Sequence, residues 1–528
     1  MRIFIAAPIT DWINDSNTHP WKALKLFIKQ LLEMLSSNGH DVFSAHNLEE
    51  FGKKLRPESI CTPFDFLEVR QSNMVIALPS RSGGVHTEIG WASALNKPML
   101  LLINGDESPL ARGLNTITHV ETLCVSSKFP EDIIERNIVI TEIVRRVSLF
   151  SPAKKTSQVA FVATAFGFGP TAKAVAIAQE FHQRCPNIKL DFFGAGVDRD
   201  FAIHSGEFDQ VISLDVDKES AIDNFLQHCD IYDNVFSIMN FQIAQKWTSK
   251  KSRLHIVDSL AWLWLSPPFD TEKVTNYFIQ RYLVDEHRLA KWKQNLPIIP
   301  VGPICRRFSL ENCPQLIDCR ILLVNFSGCA NPLIDEAIYK EYALNLTQWI
   351  AIEATDLYDK IIICVQRHIA EDIKLKVKFP CDAEIGHMPP SNFTQWLINA
   401  DCILTSPGIT TTLELLLLGK KPSFLLAQNY SQALLNERNL KLYPDQLSMA
   451  FSFMGPEFAV PEGLPEEEGV RLVVRLMKRA FRDKEDWLRT CIRQMLKVNA
   501  VSESSSISTE DLGQKQIVDI VCKGMMNS

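Results

Sequence analysis

DCILTSPGITTTLELLLLGKKPSFLLAQNYSQ, residues 401–432, is the stretch on which the reading of this chain turns. A short apolar run at 402–405 predicts a strand that passes into Ser406-Pro407-Gly408, and three threonines then open a predicted helix carrying Glu414 in its second turn. A strand, a tight turn and a helix N-terminus bring free backbone N–H groups and the positive end of a helix dipole to one place. Such a turn suits a phosphate, with Gly408 allowing close approach and the Thr410 and Thr411 hydroxyls adding donors. Glu414 is spaced to accept hydrogen bonds from a ribose diol. A second apolar run at 423–426 follows Gly419-Lys420-Lys421-Pro422 and delivers Gln428-Asn429-Tyr430-Ser431-Gln432 to the sheet edge where open α/β sheets bind ligands. An ordinary βαβ unit with a polar loop fits the same local pattern.

The ordered set Gly408, Thr410, Thr411, Glu414, Gly419, Pro422, Asn429 and Gln432 resembles the nucleotide-sugar half of GT-B glycosyltransferases. The resemblance implies a UDP-sugar as donor substrate and no further cofactor. It places Gly328, Gly408, Thr410 and Thr411 at the diphosphate, Glu414 at the ribose, and Asn429 or Gln432 at the sugar.

With 528 residues the chain has room for about three domains of ordinary size. Hydrophobic content of 46% with 22% charged residues is that of a globular protein, and no apolar run approaches the ~18 residues that span a bilayer. Opening directly on RIFIAAPI, the sequence shows no secretion signal, so a cytoplasmic location is expected. The thirteen cysteines form no C-x-x-C pair, and buried thiols explain them better than disulfides or zinc; no metal is expected. A net charge of −7 argues against nucleic acid as a partner and leaves small phosphorylated ligands open.

Residues 1–125 predict a mostly parallel α/β unit: strands at 2–9, 41–44, 73–78 and 99–103, helices at 22–37 and 86–95. RSGGVHTEIG, residues 81–90, sets Ser82, Gly84 and Glu88 at the C-terminal edge of that sheet. IFIAAPI, Asp65, the Ser82–Gly90 segment, Lys97-Pro98 and SPLARG at 108–113 together resemble the nucleoside 2-deoxyribosyltransferase-like family, including its nucleoside 5′-monophosphate N-glycosidases. The resemblance implies a flavodoxin- or Rossmann-like fold. Glu88 would attack C1′ of the sugar, Asp65 would assist, and Ser82 with Ser108 would hold the 5′-phosphate. Phe4 stands near the sugar where many members have tyrosine. The resemblance also implies a homodimer, in which the 108–113 segment completes the neighbour's site.

Residues 126–155 predict a charged helix and a linker, SPAKKTSQ. Strands at 158–164, 189–193, 210–214, 234–238 and 254–257 then predict a second doubly wound sheet, the acceptor-binding half of a GT-B enzyme over 156–310. GFGPT, residues 167–171, resembles the glycine-rich turn that opens this half and reads equally well as a structural turn. Asp258, at a predicted strand end before Trp262 and Trp264, is a candidate for orienting or deprotonating a flat heterocycle that stacks on tryptophan. Residues 311–528 form the nucleotide-sugar half with C-terminal helices, and the serine-rich 499–514 predicts a disordered loop.

SPGITTTLE, QNYSQ, NFSGCANP and VDSLAWLW are most similar to cytosylglucuronate synthases. The joint resemblance implies a bifunctional enzyme that releases a pyrimidine base from a monophosphate and then glycosylates it from UDP-glucuronate, in nucleoside natural-product biosynthesis. A glycosyltransferase regulated by a nucleotide-sensing first domain, and a defence or scaffold protein with nucleotide-binding domains, are the other readings.

Overall fold

A computed structural model describes residues 1–8, 19–79, 82–104, 114, 119–150, 157–164, 167–216, 218–284, 286–293, 297–307, 319–326, 329, 333–443, 446–498, 500 and 508–526. The chain divides into two compact units, Met1–Thr156 and Ser157–Ser528.

The first unit is one sheet in the order β2-β1-β3-β4-β5, built from β1 Arg2–Ala6, β2 Asp41–Phe43, β3 Met74–Ala77, β4 Met99–Asn104 and β5 Val120–Val125. Every pairing is parallel, and its central strands, buried on both faces, are unbroken apolar runs. Alternation along β1 sends Ile3 and Ile5 to a layer with Phe27, Leu31, Ile140 and Ile143, from the helices His19–Ser37 and Ile133–Leu149. Phe4 and Ala6 face the opposite layer, with Val69, Val85 and Ile89 from the helices Glu58–Gln71 and Gly83–Ala94. Two expectations are corrected here. The helix Ile133–Leu149, expected outside the 1–125 domain, supplies core to this unit. The helix expected from residue 86 starts at Gly83, with Ser82 in the N-cap position.

The second unit holds two parallel sheets. Seven strands, β6 Gln158–Ala163, β7 Lys189–Gly194, β8 Gln210–Ser213, β9 Asn234–Ile238, β10 Arg253–Asp258, β11 Asn276–Gln280 and β12 Ile298–Val301, lie in the order β12-β11-β10-β9-β6-β7-β8. Five more, β13 Ile321–Asn325, β14 Lys360–Cys364, β15 Asp382–Gly386, β16 Cys402–Thr405 and β17 Ser423–Phe424, lie in the order β15-β14-β13-β16-β17. Strand order reverses beside β6 in one sheet and beside β13 in the other, and each reversal opens a crevice at the strands' carboxyl ends. Two doubly wound parallel sheets in one unit are the two Rossmann-like halves expected from the sequence.

The C-terminal segment departs from expectation. Residues 499 and 501–507 lie outside the described residues, but Ala500 is buried and its N–H donates to Asp401 O at 2.7 Å. The helix Gly513–Met526 returns to the first half, where Ile517, Val518 and Val521 join Phe161, Phe278 and Val301 in one core. Gln514 Nε2 donates to Cys305 O at 2.6 Å, and Gln516 Oε1 accepts from Gly302 N at 3.0 Å. The nucleotide-sugar half expected over 311–528 therefore gives its last helix to its partner. Arg475, Lys478 and Arg479 stay on the exposed face of the helix Glu466–Asp483. Among the described residues no helix is long and apolar enough to cross a membrane.

Gly302 lies flat against that returning segment, and a Cβ there would sit 1.8 Å from Asp511 O. Since the obstacle is backbone, Gly302→Ala is expected to cost about 1–3 kcal/mol. Denaturant unfolding measures the cost, and an unchanged midpoint contradicts the close approach.

Candidate functional site

In the first unit the helices Glu58–Gln71 and Gly83–Ala94 meet through an edge-to-face contact of Phe66 and Trp91, with centroids 5.4 Å apart. Asp65 and Glu88 stand on these two helices. Burial, then the charges of Glu49 and Glu68, push the Asp65 carboxyl up to about 7 against the opposing pull of Arg56. Burial, then the charge of Asp65, holds Glu88 well above the ordinary glutamate range. Both carboxyls resist ionisation, so a protonated group and a carboxylate can stand together here near neutrality. Glu49 and Arg56, which the sequence reading missed, complete the group: Arg56 N donates to Glu49 Oε1 at 3.3 Å. Glu68 is tied to Arg2, whose Nε lies 3.0 Å from Glu68 Oε2.

Ser82 is buried at the start of the helix bearing Glu88, and at Gly84 a Cβ would meet only Ser82 Oγ, at 3.7 Å. Phe4 is a correction. Expected at the sugar, it is 0% exposed and stacked on Phe43 at 5.5 Å, because its place in the β1 alternation faces the core. Ser108 and the segment 108–113, on which the expected homodimer rests, lie outside the described residues.

In the second unit a cavity of about 350 Å³ is lined from both halves. Gly167, Phe168, Gly169 and Lys173 line it from the first. Asn325, Gly408, Thr410, Thr411, Glu414, Gln428, Asn429 and Gln432 line it from the second. Asn325 Nδ2 donates to Thr405 Oγ1 at 3.0 Å, joining the ends of β13 and β16. Asn429 caps the helix Tyr430–Leu442 by accepting from Gln432 N at 3.0 Å, and Gln432 Oε1 accepts from Gln428 N at 2.9 Å. Gln428 Nε2 donates to Phe326 O and Ser406 Oγ at 2.8 and 2.6 Å, fixing the turn below the phosphate-suited helix start. Gly328 lies outside the described residues.

Two expected site residues are engaged otherwise. Glu414 is 1% exposed and accepts from Arg306 through both oxygens, Nε to Oε1 at 2.7 Å and Nη2 to Oε2 at 2.8 Å. The carboxylate expected at a ribose thus has a bidentate partner from the other half. Asp258 is 0% exposed and accepts from Leu260 N, Trp264 Nε1 and Tyr277 OH at 2.6, 3.1 and 2.6 Å. It braces the end of β10 rather than facing the cavity. Trp262 and Trp264 both line the cavity, Trp262 covered by the Arg438 guanidinium 4.7 Å from its ring. His387 also lines the cavity, as do Lys173, Arg306 and Glu466, which the sequence did not mark as site residues. Burial raises the Glu466 carboxyl and lowers the His387 imidazole. Among the described residues no group of three or more His, Cys, Asp or Glu is placed to hold a metal ion.

Removing one partner of a buried ion pair strands the other. Glu414→Ala is expected to cost about 3–5 kcal/mol, most of it recovered when Arg306→Met is added. Denaturant unfolding of the two variants checks this, and a single variant as stable as the wild type contradicts it. Ligand affinities in Glu414→Ala carry this collapse as well as any lost contact.

No family model matches the chain, and no curated protein does. Solved structures do match. The N-terminal part is similar to the CMP N-glycosidase BcmB of Clostridium botulinum, at 25% identity over 28% of this chain and 99% of that one, with a TM-score of 0.21. It is similar also to BlsM, at 33% identity over 29% of this chain and 96% of that one, with a TM-score of 0.23. The rest is similar to the glycosyltransferase SnogD from Streptomyces nogalater, at 13% identity over 70% of this chain and 99% of that one, with a TM-score of 0.39. The chain thus joins a part similar to a CMP N-glycosidase to a part similar to glycosyltransferases.

Proposed function

We propose that this chain is a bifunctional enzyme. Its first unit hydrolyses a pyrimidine nucleoside 5′-monophosphate such as CMP to the free base, and its second transfers a sugar from a UDP-sugar, with UDP-glucuronate favoured, to that base. The observation that carries the reading is the cavity of the second unit. One wall is a helix N-terminus with Gly408, Thr410 and Thr411, suited to a diphosphate, and another offers Trp262 and Trp264, suited to a flat ring.

The carboxyl pair Asp65 and Glu88 supports the hydrolysis. Cleaving the C1′–N bond builds positive charge on the sugar, which a carboxylate stabilises or traps, while the departing base takes up a proton. Glu88 has the first role once its proton has passed to Asp65, which takes the second, and water then releases the sugar phosphate. In the transfer, the bond from C1 to the donor phosphate breaks, C1 bonds to a ring nitrogen, and that nitrogen loses a proton. Asp258 is sealed away from this task. Glu466, which lines the cavity and whose burial makes it a stronger base than an exposed glutamate, takes the proton. The product logic favours this over a sensor or scaffold, since the base released by one unit is the acceptor of the other.

With CMP and UDP-glucuronate supplied together, free cytosine followed by a cytosine–glucuronate conjugate is expected by chromatography. Glu88→Gln is expected to lower base release by about 100-fold or more while leaving transfer to added cytosine intact. Undiminished release in that variant removes Glu88 from the mechanism. Absence of a conjugate with every UDP-sugar tried removes the transfer.

A further inference from the structure

At the cavity of the second unit two helices bring their N-terminal turns together, Gly169–Arg184 from the first half and Ile409–Leu417 from the second. A Cβ on Gly169 would lie 3.4 Å from Thr410 Oγ1, so the two ends approach to about van der Waals contact. Lys173, on the first of these helices, is 2% exposed, and its Nζ donates to Thr410 Oγ1 at 2.8 Å and to Gly169 O at 3.4 Å. Two positive helix ends and an ammonium meet here. The lining carboxylates are Glu414 and Glu466, and neither pairs directly with Lys173 among the described residues. Arg306 and Glu414 neutralise one another. Lys173 feels the charges of Glu414 and Asp258 without a direct ion pair to either, and an ammonium buried in this way is costly unless an anion completes the site.

We propose that Lys173 is the cation that seats on the diphosphate of the nucleotide-sugar donor, so that the acceptor-side half takes part in donor recognition. The inference rests on the UDP-sugar reading above and adds to it a residue and a consequence. The phosphate is chosen over a carboxylate on the sugar because the ammonium sits on Thr410, in the first turn of the helix whose free N–H groups suit phosphate oxygens. Lys173 and Thr410 belong to opposite halves, so a diphosphate held by both ties them together. When the donor's C1–O bond breaks, the charge left on the UDP stays under the same ammonium.

The charged and titratable groups around Lys173 are Cys305 and Arg306 after β12, Glu414 on the facing helix and Asp258 at the end of β10, with Asp198 behind it on Thr171. Burial holds the ammonium down to about 8, with the charges of Cys305, Glu414 and Asp258 opposing. A bound anion favours the protonated form, so affinity for UDP should be highest below that value and fall above it.

Calorimetry on the full chain with UDP and with uridine tests this. The wild type is expected to bind UDP, more weakly as pH rises from about 7 to 9.5. Lys173→Met should bind UDP about ten-fold or more weakly and without that pH dependence, uridine binding should be unchanged, and Lys173→Arg should retain most of the UDP affinity at high pH. Equal UDP affinity in wild type and Lys173→Met, or loss confined to UDP-glucuronate with UDP unaffected, overturns the assignment while leaving the donor reading standing. A wild-type profile that is flat across this pH range also overturns it, without recourse to a variant. A wild type that binds no UDP overturns both.

Discussion

A guanidinium and a carboxylate, both almost wholly removed from water, hold the two halves of the larger unit at a fixed spacing. Arg306 leaves the end of the first sheet and Glu414 rises from the helix after β16, and their two parallel hydrogen bonds set distance and angle together. Such a pair adds little net stability over an apolar contact of similar volume, but it tolerates few alternatives, because any slip buries an unpaired charge. The neighbouring geometry follows from it. With the halves in this register, Gly169 can face Thr410 and Lys173 can reach it, and the cavity takes its walls from both sides.

Much of the fold was legible because parallel strands buried on both faces must be apolar throughout. The strands Asn234–Ile238, Ile321–Asn325 and Cys402–Thr405 lie where their apolar runs place them. The edge strand Val120–Val125 was missed because its exposed positions carry Glu121 and other solvent-facing residues, leaving no clean run. The returning C-terminal helix was missed for a different reason. Ile517, Val518 and Val521 follow a serine-rich stretch, and their partners Phe161 and Val301 lie hundreds of residues earlier.

The candidate sites divide along the same line. Gly408, Thr410 and Glu88 stand where a turn or helix start announces them locally, whereas Asp65, inside the helix Glu58–Gln71, was named through the resemblance alone. Arg306 and Lys173 were not readable, since they meet their partners 108 and 237 residues away. Asp258 was misplaced by a sound local argument. A carboxylate ending a parallel strand commonly faces a crevice, but Tyr277 on the neighbouring strand and the indole of Trp264 fill its hydrogen-bonding capacity from within. Local sequence supplies the chemistry of a position, and only the pairing of distant strands decides whether that chemistry is available. In the first unit the outcome is a pair of carboxyls kept from ionising by burial and by the carboxylates beside them. In the second it is a pocket in which the Glu414 carboxylate is already spent on holding the halves together.

Hydrogen–deuterium exchange on the whole chain, with and without saturating UDP, tests most directly the claim that one anionic donor is held by both halves. Amides in residues 167–175 and 406–414 should gain protection together, while residues 1–150 should exchange as before. Protection confined to one half, or appearing only in the first unit, would contradict the account.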